Sequence, residues 1–352
     1  MVSDRRTWLK SALATTASIS ACSLSREALG ACSADSKPEW RQSIQNGLDY
    51  LARNQNTRGQ WNTADYQTAL AALAGIALIC SGSTTTQGPY AKQIARCTDY
   101  LISRCRPNGL IGDPLSDARY TYGHGFSMLL LSQVLGEEGY EDRRKELIDV
   151  LNRAVDFCCS AQTNAGGWGY VSAKDGAQYD EGSTTITQVQ GLRGCRNAGI
   201  AVPAEVIERA KEYIYACKND DGGISYSSKQ MGTSRPAITA AALAALYNAG
   251  DYDGEHVPSM LKYSRDKLYE ITDRNGAFGH WHYTYLYYSQ VVYRQGDEEW
   301  KPFRQALYDQ IVKSQRNDGS WEEEGQIDPV YITACNLIIL QLDRGLLPIY
   351  QR

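Results

Sequence analysis

The sequence predicts an all-α protein, an (α/α)6 toroid in which six helical hairpins form two concentric rings. Three observations predict it. A glycine-centred turn recurs, marked by Gly59, Gly109, Gly166, Gly222, Gly276 and Gly319, at spacings of 50, 57, 56, 54 and 43 residues. A period of that size marks a repeat architecture. Each turn joins an amphipathic helical segment to one that is apolar nearly all round, and a helix apolar on every side is a buried one. Neither end of the pattern carries the polar capping repeat that a straight solenoid needs, so closure into a ring is favoured.

The elements follow in order. From Glu39, Ile44, Leu48 and Leu51 recur at helical spacing; the turn ending at Trp61 follows, and then the Ala/Leu-rich run Tyr66 to Ile79. The second hairpin pairs Tyr90 to Arg104 with Tyr122 to Leu135, and the third pairs Asp142 to Ala161 with Thr184 to Ala198 after a longer loop. The fourth starts at Pro203, where proline suits a first helical position, runs to Ala216, and continues with the Ala-rich Pro236 to Ala249. The fifth pairs Pro258 to Thr272 with His282 to Gln295, and the sixth pairs Trp300 to Ser314 with Val330 to Arg344. No stretch shows the period-2 alternation of a strand. The clearest turn is Gln315-Arg316-Asn317-Asp318-Gly319-Ser320-Trp321. Its glycine permits the reversal, and its aromatic is expected to lock one hairpin to the next.

Residues 1–37 read as a targeting segment and tether, and residues 38–352 as one toroid domain. Asp4-Arg5-Arg6-Thr7-Trp8-Leu9-Lys10 has the twin-arginine form, followed by a short apolar stretch. It predicts bacterial export of a folded protein to the periplasm or envelope. Ile19-Ser20-Ala21-Cys22 has the form of a lipobox, which would make Cys22 a lipid anchor and the only route to a membrane; the alternative is cleavage near Ala31 or Ala34. The ten cysteines lack paired C-x-x-C zinc spacing and mostly fall in helical patterns, where a free Cys packs as a small apolar residue. The net charge of −4 leaves no basic stripe for nucleic acid. Tyrosine outnumbers phenylalanine 24 to 4, which suits apolar surfaces that touch water or a polar ligand.

The Gln-x-x-x-Gly-x-Trp turn resembles the QW repeat of squalene and terpenoid cyclases, and the hairpin count is similar to the toroid of protein prenyltransferase β-subunits. The resemblance spans the chain from about Glu39. Tyr122-Gly123-His124-Gly125-Phe126, Gly166-Gly167-Trp168-Gly169-Tyr170, Trp281-His282-Tyr283-Thr284-Tyr285 and the segment Trp300 to Trp321 resemble exported bacterial prenyltransferase/squalene oxidase repeat proteins. The signatures of the catalytic members are missing. There is no Asp-x-Asp-Asp acid motif, and Asp220-Asp221 belongs to a repeat turn. The one Asp-x-Cys, Asp156-Phe157-Cys158, falls on an outer helix, and Ile332 stands where the zinc-binding members carry His. No metal and no cofactor is therefore expected.

In a toroid the inner helices begin around one mouth of the central cavity, where unpaired N–H groups carry partial positive charge. Polar residues just after each turn are the candidates. Tyr66, Tyr122, His124, Thr184, Gln188, Thr239, His280, Tyr285 and Tyr331 are expected to line the cavity. Arg235, His282, Asp328 and Asp65 come from hairpins consecutive around the ring and would form one wall with the ingredients of acid/base chemistry. His124 would face the other histidines across the cavity. The plainer readings are N-caps for Asp328, Asp65 and His124 and core packing for the tyrosines. The leading expectation is a protein that binds an apolar or amphipathic small molecule. An enzyme acting on an isoprenoid or a glycan, and an envelope scaffold for another protein, are the alternatives.

Overall fold

The computed structural model describes residues 36–351 apart from 177, 272–279 and 323–327. The twin-arginine segment, Cys22 and the fifth repeat turn lie outside the described residues.

Among the described residues, twelve α-helices alternate between an outer and an inner ring. The outer helices are α1 (Pro38–Asn54), α3 (Ala91–Ser103), α5 (Glu141–Ala161), α7 (Ala204–Ala216), α9 (Val257–Leu268) and α11 (Asp297–Lys313). The inner helices are α2 (Gln67–Ile79), α4 (Tyr120–Glu137), α6 (Gly182–Asn197), α8 (Pro236–Ala249), α10 (Trp281–Arg294) and α12 (Pro329–Leu340). Each outer helix buries a single stripe, as α1 does with Trp40, Ile44, Leu48 and Leu51. The inner helices bury nearly everything, as α2 does from Thr68 to Leu78. Inner helices pack in sequence, α2 on α4, α4 on α6, α6 on α8, α8 on α10 and α10 on α12, and α12 packs back on α2 to close the ring. No described helix is long and apolar enough to cross a membrane.

The repeat turn holds the rings together. The turn glycines Gly59, Gly109, Gly166, Gly222 and Gly319 all have φ between +87° and +97°, a conformation that L side chains resist. Each also presses on the following outer helix. A Cβ at Gly59 would lie 2.0 Å from the Arg96 carbonyl oxygen, and one at Gly319 would lie 2.4 Å from that of Asn46, across the closing seam. The turn glutamine spans the same junction. Gln55 Nε2 donates to its own turn at Gly59 O (3.0 Å) and onward to Gln93 O (2.8 Å); Gln162 does the same to Gly166 O and Val206 O. Gln315 donates to Gly319 O and to Ser43 O of α1, both at 2.9 Å, so the last hairpin is tied to the first.

The aromatic has a different role from the one expected. Trp61, Trp168 and Trp321 each donate their indole N–H, at 2.8 Å, to a carbonyl of their own outer helix: Leu51, Cys158 and Ile311. The ring of Trp321 still packs against α1, where a Cβ at Gly47 would come within 2.8 Å of it. The inter-hairpin hydrogen bonds belong to glutamine and the close approach to glycine.

Two local features depart from the sequence reading. Gly123-His124-Gly125 lies inside α4. A Cβ at Gly123 would lie 2.9 Å from Thr68 of α2, and one at Gly125 2.6 Å from Thr187 of α6, so the glycines let α4 press against both neighbours. A short antiparallel hairpin, β1 (Ser225–Ser227) and β2 (Gln230–Ser234), precedes α8. Its residues are mostly polar, Tyr226 and Met231 aside, and β2 is mostly exposed, so no apolar alternation announces it. Instead the buried Asp180 carboxylate accepts hydrogen bonds from Ser227 Oγ (3.1 Å), Ser228 N (2.9 Å) and Ser228 Oγ (2.7 Å). The eight described cysteines are free thiols, and most are buried.

Candidate functional site

The N-terminal turns of the inner helices, with the segments leading into them, surround a central cavity of about 380 Å3. Each hairpin contributes one tyrosine to its wall: Tyr66, Tyr122, Tyr170, Tyr226, Tyr283 and Tyr331. Leu70, Leu73, Phe126, Ile238 and Leu286, with Ala69 and Ala237, supply the aliphatic and aromatic remainder. Four of the tyrosines are joined edge to edge. Tyr66 and Tyr122 stack at 6.0 Å and 73°, and Tyr122 and Tyr170 at 5.9 Å and 37°; the hydroxyls of Tyr170 and Tyr226 are hydrogen-bonded. Such rings offer apolar faces with polar tips, so the wall accepts hydrocarbon while the hydroxyls of these four bond to neighbouring groups.

Three polar groups adjoin this wall. Arg119, immediately before α4, donates from Nη1 to Tyr66 Oη (3.0 Å), and its guanidinium carbon lies 4.4 Å from the centre of the Tyr170 ring. Glu181 caps α6, its carboxylate accepting the N–H groups of Ser183 (2.9 Å) and Thr184 (2.7 Å). It also accepts from Ser183 Oγ (2.7 Å) and Tyr122 Oη (3.2 Å), and both residues line the cavity. Burial pushes the Glu181 carboxyl up toward its neutral form, against the opposing pull of the Ser183 and Thr184 hydrogen bonds. His280 lines the cavity with φ +48°, and Tyr66 with φ +55°. Both precede inner helices, and they are the two non-glycine residues with positive φ among those described. Backbone strain of this kind gathers where a site demands it.

Of the residues expected to line the cavity, Tyr66, Tyr122, His280 and Tyr331 do. The others serve packing. His124 Nδ1 accepts the Ile111 backbone N–H (3.1 Å) and its Nε2 pairs with Ala154 O (3.1 Å). It does not face the other histidines; its place is that of a repeat staple. Thr185, Thr239 and Thr333 fill the same role in other hairpins, accepting from Trp168 N, Ile224 N and Trp321 N. Thr239 is thereby accounted for. Thr184 Oγ1 donates to the Trp168 carbonyl, and Gln188 bridges α6 to Thr121 O of α4 (2.7 Å). Tyr285 is buried, donating to Leu268 O (3.2 Å).

The expected Arg235, His282, Asp328 and Asp65 wall does not assemble around the cavity. His282 is buried between α10 and α12, with Nδ1 2.8 Å from Asn336 Oδ1. Asp328 caps α12 by accepting Val330 N (2.7 Å), and burial raises its carboxyl pKa against that bond. Asp65 is exposed. Arg235 stacks on Tyr226 at 5.1 Å but is not among the cavity-lining residues. Helix-capping chemistry claims the aspartate at the sixth hairpin, and ring geometry turns His282 sideways. Among the described residues no group of His, Cys, Asp and Glu is arranged to hold a metal ion.

Sequence reasoning missed Arg119, Glu181, Ser183, Tyr170 and Tyr226. A signal for the two tyrosines was present: each stands two residues after the turn's apolar position, Trp168 and Ile224. Glu181 immediately precedes the inner helix, as a cap should. Arg119 carries no pattern that marks it.

No protein-family model matches the chain, and no curated protein matches it. Solved structures do. An inactive α-1,6-mannanase variant, GH76A of Salegentibacter sp. HEL1_6 in complex with α-1,6-mannotriose, matches with a TM-score of 0.65 and 9% identity over 87% of this chain and 99% of that one. The type II terpene cyclase MstE from Scytonema, without ligand, matches with a TM-score of 0.59 and 17% identity over 88% and 99%. At these identities the likeness establishes the α/α toroid fold. This chain shares that fold with a glycoside hydrolase and a terpene cyclase.

Proposed function

We propose that the protein binds an apolar or amphipathic small molecule inside its ring. The observation that carries this reading is the wall of six tyrosines, one from each hairpin, around about 380 Å3 of space. A volume of this order with few polar groups is characteristic of small-molecule sites. The fold's neighbours, a mannanase bound to a mannotriose and a terpene cyclase, are consistent with ligands held by this kind of ring. The Arg5-Arg6 segment supports an exported location.

Titration calorimetry with decan-1-ol tests the reading. The wild-type protein is expected to give saturable binding with a negative heat-capacity change, the signature of apolar burial. Ala237→Phe, which fills the cavity from the start of α8, is expected to abolish it with an unchanged melting profile; Ala69→Phe does the same from α2. Equal binding by wild type and both folded variants would overturn the reading.

A second reading, an enzyme, is favoured by Glu181. A buried carboxyl shifted toward its protonated form and bonded to two cavity-lining hydroxyls is a candidate proton donor. Glu181→Gln keeps one of the two backbone capping bonds and removes the acid. Turnover by the wild type that this variant loses, with ligand binding retained, would favour that reading.

A further inference from the structure

We propose that the cavity's ligand is a singly charged carboxylate amphiphile, its head seated on Arg119 and its apolar body among the tyrosines. This rests on the ligand-binding reading above and names its chemical class.

Arg119 is the guanidinium that lines the cavity. Several arginines elsewhere on the surface pair with carboxylates: Arg104 and Arg106 meet Asp113, Arg143 meets Asp99 and Glu146, Arg153 meets Asp149, and Arg265 meets Glu299. Among the described residues Arg119 meets phenols instead. Burial, the largest single influence, lowers its pKa, and Tyr66, Tyr170 and Tyr122 together outweigh it and raise it. The nearby Asp117 is buried and its Oδ1 accepts the Arg119 backbone N–H (3.0 Å). The Tyr66 hydrogen bond and the Tyr170 face fix the plane of the guanidinium. Its other N–H groups are left at the exposed rim of an apolar cavity. That planar fork matches a carboxylate.

Four helix N-termini nearby carry the same sign. The N-termini of α2, α4, α8 and α10 have no side-chain hydrogen-bond cap, so their partial positive charge adds to that of Arg119. The two inner helices that are capped use Glu181 and Asp328. Burial raises the pKa of both carboxyls against their capping hydrogen bonds. One fixed cation in reach suits one negative charge. A diphosphate head would call for several, and Arg235, the next guanidinium, stacks on Tyr226 outside the lining.

The test compares decanoate, decan-1-ol and decyl phosphate at pH 7.5 on wild type and Arg119→Gln. On wild type, decanoate is expected to bind about tenfold more tightly than decan-1-ol, the effect of one hydrogen bond between charged partners. In Arg119→Gln the ratio of the two is expected to fall to about one, whatever happens to decan-1-ol itself. The side chain is exposed, so an unchanged melting profile is expected. A wild-type ratio near one, or a ratio that survives Arg119→Gln, overturns the inference while leaving the binding reading intact. Decyl phosphate binding more than tenfold above decanoate overturns the choice of head group. Failure of all three ligands to bind wild type overturns both readings together.

Discussion

His124 is predicted to make this toroid acid-sensitive, because it performs with an imidazole what three other hairpins perform with a threonine hydroxyl. Its Nδ1 must be unprotonated to accept the Ile111 N–H, and Nε2 then carries the proton shared with Ala154 O. The ring is fully buried, and burial lowers its pKa from 6.5 to about 4. The sign follows from linkage: the unfolded chain takes up this proton near pH 6.5, the folded one only near pH 4. The stabilisation is complete above the unfolded pKa and is lost as pH falls toward the folded one. A gap of this size corresponds to about 2 kcal/mol lost by pH 5 and about 3 kcal/mol below pH 4. His124→Thr installs the threonine that Thr185, Thr239 and Thr333 represent. It is expected to cost about 1–3 kcal/mol at pH 7, from the smaller side chain, but to lack the acid loss. Denaturant titrations of both proteins from pH 7 to pH 4.5 measure the difference, which cancels the carboxyl groups they share. Parallel stability curves would refute the assignment.

Two other perturbations test the repeat turn. Gly166→Ala combines φ +97° with a Cβ 2.2 Å from the Arg209 carbonyl and should cost about 3 kcal/mol or more. Gly199→Ala has φ +89° but nothing within 4 Å, and should cost only about 1–2 kcal/mol in thermal unfolding; equal losses would show that the close approach is unimportant. Gln315→Ala removes the bond to Ser43 O across the closing seam and the bond to Gly319 O within its own turn, and should lower stability by about 1–3 kcal/mol by denaturant midpoint, whereas no change would show that the other contacts across the seam suffice to close the ring.

Most of the fold was legible because it depends on patterns that survive in one sequence. The turn spacing, the apolar inner runs and the proline and aspartate at the start of α12 each have a local cause. The β1–β2 hairpin was not legible, since Asp180, distant in sequence, supplies its hydrogen bonds. At the site, Tyr66, Tyr122, His280 and Tyr331 followed from the rule that the cavity begins where inner helices begin. The same rule overreached at His124, Thr184 and Thr239, because a helix's first turn has several faces. One of them is used to staple the preceding turn. Arg119 and Glu181 acquire meaning only from what they touch: Tyr170 and Tyr66 for the first, Tyr122 and Ser183 for the second. No spacing encodes those contacts.

A crystal structure of the protein soaked with decan-1-ol shows whether the tyrosine ring encloses a ligand site. Density for one alkyl chain bounded by Tyr66, Tyr122, Tyr170, Tyr226, Tyr283 and Tyr331 is expected. Density for ordered water alone in that space, at an alcohol concentration that saturates binding in solution, would contradict it.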